Sequence, residues 1–182
     1  MAGKKYLADW AVDEQLDPRS GRIVRRAVYR GEWYEFAAGG EALRRTKRLY
    51  ACLSVASAAA YLAALCVNAP CAHEWYSMFP FALMMLPVFF VEAALARLLS
   101  AGPRVTRENR DKLVGRYAAA AGALAVLAAL ALIGHAVYWV RCGETARDTV
   151  FLAAALILLG AGVWMLAERK RLEMRPCGRD GQ

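Results

Sequence analysis

Residues 117–140 read YAAAAGALAVLAALALIGHAVYWV, a run of 24 residues without a charged side chain. A helix of this length is about 36 Å long, whereas the hydrocarbon layer of a bilayer is about 30 Å thick. Similar apolar runs lie at residues 49–68, 77–96 and 149–167. The sequence therefore predicts four helices that can each cross a membrane.

Apolar residues make up 59% of the 182-residue chain, and they are concentrated in these four blocks. Because a soluble domain spreads its apolar residues with the period of a helix or a strand, this concentration favours a membrane protein. We predict an all-α membrane protein whose core is a four-helix transmembrane bundle over residues 49–167. An N-terminal segment, residues 1–48, precedes the bundle, and a basic tail, residues 168–182, follows it.

The 24 Lys and Arg residues lie almost entirely on alternate sides of the four runs, 22 against 2. Eleven of them precede the first run, six lie between the second and third runs, and five follow the fourth. Short connections rich in Lys and Arg stay in the cytoplasm during insertion. We therefore expect a multi-pass protein with both termini in the cytoplasm, in a bacterial plasma membrane.

The net charge of +8 follows from these basic residues, which sit next to the membrane-spanning runs. A nucleic-acid-binding protein would instead carry its basic residues among stacking aromatics on a soluble module, so we expect no nucleic-acid partner. The densest basic cluster is Arg44, Arg45, Lys47 and Arg48, directly before the first span. Its predicted partner is the anionic inner leaflet of the bilayer.

The N-terminal segment contains two β-prone runs, residues 22–29 and 32–36. Gly31 lies between them and can adopt the positive φ that a tight turn needs. A further turn-rich cluster lies at residues 17–21. The sequence thus predicts a small cytoplasmic β-hairpin over residues 22–36.

The predicted hairpin presents three aromatic side chains, Tyr29, Trp33 and Tyr34. A two-stranded hairpin is marginally stable in water, so it must pack against something. Because aromatic residues are enriched at protein interfaces, these three are candidate contacts with another membrane or cytoplasmic protein. The alternative is a small cap that covers the inner ends of this chain's own helices.

Glu92 is the carboxylate placed well inside an apolar run, and such residues are candidates for function by default. It could serve ion coupling, or it could extend to the inner headgroups and pair with Arg97. Pro87 in the same span removes the helical hydrogen bond to the carbonyl of Leu83, which predicts a bend or a hinge. A pore that uses Glu92 and the Pro87 bend is therefore one functional alternative.

The predicted outer connections contain Cys71 and Cys142. Because an outer face often meets an oxidising space, a disulfide between them is one prediction, and free thiols are the alternative. A metal or redox site that includes His73 is a third hypothesis, but the spacing of His73 and the two cysteines matches no established zinc pattern.

The sequence contains no phosphate-binding loop, no zinc-protease motif, no nucleophile elbow and no kinase signature. We therefore expect no enzymatic activity, no cofactor and no resident metal. The leading hypothesis is an accessory, scaffolding or regulatory subunit that acts through its cytoplasmic face. A second copy of the same chain, in a homo-oligomer, is a further possible partner. The alternatives are an oligomeric channel or transporter and an outer-face metal or redox site.

Overall fold

The structure, a computed structural model, describes residues 2–16, 23–143 and 146–178. Five α-helices occur in this part of the chain: α1 (Gly40–Cys66), α2 (Trp75–Leu83), α3 (Met85–Ser100), α4 (Arg107–Cys142) and α5 (Ala146–Ala167). The same residues form five short strands: β1 (Trp10–Leu16), β2 (Ile23–Tyr29), β3 (Trp33–Phe36), β4 (Arg104–Thr106) and β5 (Met174–Gly178). Short 3₁₀ helices span Ala2–Asp9, Pro70–His73 and Glu168–Leu172. The turn cluster predicted at 17–21, residue 22 of the predicted hairpin and residues 179–182 of the predicted tail lie outside the described residues.

Four helical segments are long and apolar enough to cross a membrane, as the sequence predicted. They run over Gly40–Cys66, Trp75–Ser100, Arg107–Cys142 and Ala146–Leu172, and each is longer than its predicted apolar run, although the first ends two residues before its run does. The fold is therefore mostly helical. It is not purely α with one hairpin, because two separate antiparallel sheets accompany the helices.

The second membrane-length segment is divided into α2 and α3 at Met84. Met84 N–H donates to the carbonyls of both Pro80 and Phe81, so the helix tightens there before it resumes. Pro87 then lies in the first turn of α3, where its missing N–H is not needed by the helix. The helix is thus interrupted at Met84, next to Leu83, whose carbonyl cannot accept a hydrogen bond from Pro87.

Small residues bring the helices together around α4, which packs against α2, α3 and α5. Ala121, Ala128 and Ala131 on α4 are completely buried. Gly134 allows an even closer approach, because a Cβ added there would lie 2.7 Å from the carbonyl oxygen of Tyr76. Close backbone packing of this kind holds membrane helices together where lipid is as apolar as the side chains.

The strand predicted at the end of the hairpin, β3, is the central strand of a three-stranded sheet ordered β4-β3-β5. Tyr34 is in register with Val105 of β4 and Pro176 of β5. The alternating face of β3 that carries Tyr34 and Phe36 is buried against the ends of the helices. On the exposed face, Glu35 lies opposite arginines of both neighbouring strands, which favours this register.

The predicted pairing of residues 22–29 with 32–36 is wrong. The strand β2 instead pairs with β1, in a register that places Trp10 opposite Tyr29 and Leu16 opposite Ile23. The physical reason is that β3 buries one face, and the residues that cover it lie far away in the chain. Gly31 has no positive φ; it provides space, since a Cβ there would lie 2.5 Å from Tyr29 Oη.

Residues 2–16, 23–48, 101–106 and 168–178 gather at one end of the bundle, which we call the basic end. The helix α4 has 36 residues, or roughly 54 Å, so it exceeds the bilayer thickness and extends into this end. Its extension carries Arg110, whose guanidinium lies 4.5 Å from the ring centre of Tyr34. It also carries Asp111, which accepts a hydrogen bond of 2.9 Å from Tyr6 Oη. The three-stranded sheet therefore forms a cap held by a helix of the bundle.

We predict that Gly134→Ala destabilises the protein by about 1–3 kcal/mol, because the new methyl group forces α2 away from α4. Gly122→Ala on the same helix is the matched control, since a Cβ there meets no atom within 4 Å. Unfolding by SDS in mixed micelles measures both free energies. Equal stability of the two variants would contradict the close approach at Gly134.

Candidate functional site

The three predicted contact residues Tyr29, Trp33 and Tyr34 lie at the basic end and contact each other or neighbouring groups of the same chain. The rings of Tyr29 and Trp33 pack edge to face at 5.2 Å. Tyr29 Oη donates to the carbonyl of Glu32 at 3.0 Å and accepts from Arg107 N–H at 3.1 Å. Tyr34 is buried, and its hydroxyl donates to Glu32 Oε2 at 2.8 Å. These aromatics therefore pack against groups of their own chain, and their contact with another protein stays a prediction.

The two-stranded sheet of β1 and β2, which we call the ribbon, presents a surface that the sequence did not single out. One of its faces carries Val12, which is 69% exposed, and Ile23, which is 66% exposed. Arg25 Nε donates to Glu14 Oε1 across the same face at 2.9 Å. The sequence contains a signal for this strand, because the large apolar residues Trp10 and Val12 alternate with small or polar residues at the two-residue period of a strand.

The predicted lipid-contact cluster divides into two parts. Arg44, Arg45 and Arg48 are exposed on α1. Lys47 points elsewhere: its Nζ donates to the carbonyl of Ala101 at 2.9 Å and lies 6.0 Å from the ring centre of Phe36. Lys47 therefore joins α1 to the connection after α3, and three of the four predicted residues remain available to lipid.

Glu92 lies at the contact between α1 and α3 and is partly buried. Its Oε1 accepts a hydrogen bond of 2.6 Å from the hydroxyl of Ser54, a residue that is 1% exposed. Tyr117 of α4 is near enough to interact electrostatically with Glu92, and its buried hydroxyl has no partner among the described residues. The hydrogen bond joins two of the membrane-length helical segments, and Glu92 contacts Ser54 rather than Arg97, which was one of its predicted partners.

The end opposite the basic end contains a buried contact that the sequence did not predict. Asp148, at the start of α5, is fully buried, and its Oδ1 accepts a hydrogen bond of 3.0 Å from the backbone N–H of Cys71. The residues on either side of Asp148, Arg147 and Thr149, give no local sign that this carboxylate is buried. The contact fastens the connection between α1 and α2 to α5.

The structure does not form the predicted disulfide, and both Cys71 and Cys142 are free thiols. Cys71 is buried, whereas Cys142 is exposed at the end of α4. Burial, together with a hydrogen bond to Asp148, raises the pKa of the Cys71 thiol to about 12. Since the thiolate is the reactive form in disulfide exchange, Cys71 is unreactive near neutral pH.

The hypothesis of a metal site finds no set of ligands among the described residues, because no three His, Cys, Asp or Glu side chains come together there. His73 Nε2 instead lies 2.7 Å from Asn68 Oδ1 in a local hydrogen bond. His135 is buried near Phe151, and neither of its ring nitrogens has a partner in the part of the chain that the structure describes.

Comparison of the chain with protein-family models, with curated proteins and with solved structures gives no match.

We predict that Glu92→Leu lowers the free energy of unfolding by about 1 kcal/mol, because Ser54 then loses its acceptor within the apolar layer. Glu92→Gln keeps a side-chain oxygen in place and is expected to stay close to the wild-type value. SDS titration in mixed micelles measures both variants. A Gln variant as unstable as the Leu variant would show that the hydrogen bond to Ser54 is not the contact that matters.

Proposed function

We propose that this chain is a four-pass membrane protein that serves as an accessory or scaffolding subunit, with both termini in the cytoplasm. Its contact surface is the exposed face of the ribbon, and its partner is another protein. The observation that carries the proposal is the exposure of Val12 and Ile23 on a sheet of only two strands. The cap fixes the position of the ribbon through the contact between Trp33 of the cap and Tyr29 of the ribbon.

Membrane insertion is supported by the residues on the outside of the bundle. Large apolar side chains are exposed on every membrane-length segment, for example Leu62, Phe89, Val126 and Ile157. A surface of this kind is unfavourable in water and favourable in lipid. The orientation is supported by the charges, since 22 of the 24 basic residues lie in three segments of the sequence whose described parts meet at the basic end.

A protein partner is supported by the construction of the ribbon. Two strands alone are marginally stable, and both outer edges of a two-stranded sheet leave backbone hydrogen-bonding groups unpaired. A partner that covers Val12 and Ile23, or adds a strand to an edge, satisfies both needs. The aromatic side chains at the base of the ribbon, Trp10 and Tyr29, pack edge to face at 5.3 Å and hold that base in place.

A channel or transporter that uses Glu92 and the Pro87 bend is the competing function. Its support is the polar cluster of Glu92, Ser54 and Tyr117 within the apolar layer. Ion flux in proteoliposomes distinguishes the two. The accessory function expects equal flux from wild type and Glu92→Gln, whereas a pore that depends on this carboxylate expects the variant to lose its flux.

Two native cysteines test the orientation. Cys177 is exposed at the basic end and Cys142 is exposed at the opposite end. We predict that a membrane-impermeant maleimide labels Cys142 in intact cells and labels Cys177 only after permeabilisation. Single-cysteine variants at each position, followed by mass spectrometry of the tryptic peptides, give the readout. Labelling of Cys177 in intact cells would reverse the assigned orientation.

The ribbon is tested by a photo-crosslinking amino acid placed at Val12 or at Ile23, in the full-length chain in cells. We expect adducts to one protein partner at both positions, because both side chains lie on the exposed face. Glu35 on the exposed face of the cap is the matched control position and is expected to give no such adduct.

Charge substitution completes this experiment. Val12→Glu with Ile23→Glu should abolish rebinding of the purified partner and leave the thermal unfolding of the chain unchanged. Adducts only between copies of this chain, or equal adducts at Glu35, would exclude the ribbon as a surface for a different protein.

A further inference from the structure

A groove at the basic end runs between the start of α1 and the segment after α5. Its volume is about 960 Å³, and its basic lining residues are Arg44, Arg45, Arg48, Lys170 and Arg171. All five side chains are exposed, and Glu41 is the carboxylate among the lining residues. We call this feature the basic groove. The hydroxyl of Tyr50 lies 3.5 Å from the carbonyl oxygen of Met165, so α1 and α5 are in contact beside it.

A second groove of about 430 Å³ adjoins the basic groove and shares Arg45, Arg48 and Arg171 with it. The shared arginines form one side of this second groove. Leu49, Cys52 and Trp164 form its apolar side. The two grooves are therefore adjacent, and the lining changes from charged residues in the first to charged and apolar residues in the second.

The change follows the direction of the helix axes on both walls. On α1, Arg45, Leu49 and Cys52 are spaced by four and three residues, so they lie along one face, which spans about 10 Å. On the other wall, Trp164 lies on α5 farther from the basic end, and Arg171 lies after α5 and nearer to that end. A ligand that fits both walls has a charged part at the basic end and an apolar part that extends into the bilayer.

We propose that the two grooves form one binding site for an anionic phospholipid, with its phosphate on the arginines of α1 and an acyl chain along Leu49, Cys52 and Trp164. The charge of the site agrees with this ligand. Five basic side chains against Glu41 and Glu168 leave a net charge of +3. Because Arg171 is paired with Glu168, the cations available to the headgroup are those of α1 and Lys170.

The residue types also agree with this ligand. A guanidinium group can hold two phosphate oxygens at once, which makes arginine the preferred residue for phosphate recognition. A tryptophan ring at the boundary between charged and apolar surface is typical of a residue at the headgroup level. A soluble phosphate compound would contact the arginines and leave the apolar wall without a function, so the lipid accounts for more of the site.

The experiment uses the full-length protein, purified in mild detergent, stripped of lipid and titrated with phosphatidylglycerol or phosphatidylcholine. Native mass spectrometry counts the lipid bound. We expect tighter binding of phosphatidylglycerol, and we expect Arg45→Gln with Arg48→Gln to weaken it about 30-fold, since each basic residue near an anionic headgroup contributes about five-fold. Lys170→Gln probes the other wall of the groove and should weaken it about five-fold.

Arg26→Gln with Arg30→Gln is the matched control, because it removes the same charge from exposed positions of the basic end outside the groove. We expect this control to change the affinity by less than about two-fold, since charges beyond a Debye length are screened. Retained headgroup preference in the α1 variant would overturn the proposal, as would equal binding of the two lipids by the wild type. Displacement of phosphatidylglycerol by an excess of glycerol 3-phosphate would assign the site to a soluble phosphate compound and also overturn it.

Discussion

Hydrocarbon offers no hydrogen-bond partner to a peptide group, and this constraint determines most of the structure. Each segment that can cross the layer must satisfy its own backbone, so each of the four is helical. The constraint also explains the one interruption. At Met84 the chain leaves the regular helix, but Met84 N–H keeps two carbonyl acceptors and Val88 N–H donates to Met84 at 3.0 Å. The N–H groups of Met84 and Val88 thus keep their hydrogen bonds where the second span divides.

The same constraint applies to polar side chains inside the bundle. Ser54 and Glu92 pair across two helices, and Asp148 binds the backbone of Cys71 at the opposite end. Each contact supplies a partner that lipid cannot provide, and each fixes the position of one helix or connection relative to another. The polar residues are thus explained by assembly of the bundle. A transport role for Glu92 requires a further property, namely flux that depends on its charge.

In the proposed membrane protein the basic end lies outside the hydrocarbon, and its two surfaces have different chemistry. The ribbon exposes apolar side chains above a well-packed cap, which suits a protein partner. The grooves beside α1 and α5 expose arginines next to an apolar wall, which suits an anionic lipid. Lys47 belongs to neither surface, because it joins α1 to the carbonyl of Ala101. The two proposals place a protein on the ribbon and a lipid in the grooves.

The sequence by itself determined the four helices, the collection of basic charge beside alternate spans and the β-strand character of residues 23–29 and 33–36. These properties are local, because apolar run length and side-chain alternation are sufficient to express them. Only the tertiary structure decided how the strands pair and which polar residues meet. Tyr34 is paired with Val105 and Pro176 in the sheet, and the N–H of Cys71 donates to Asp148, although these partners lie far apart in the sequence. Such contacts form when the helices pack and bring distant connections to the same end of the bundle. The local periodicity of the sequence carries no information about them.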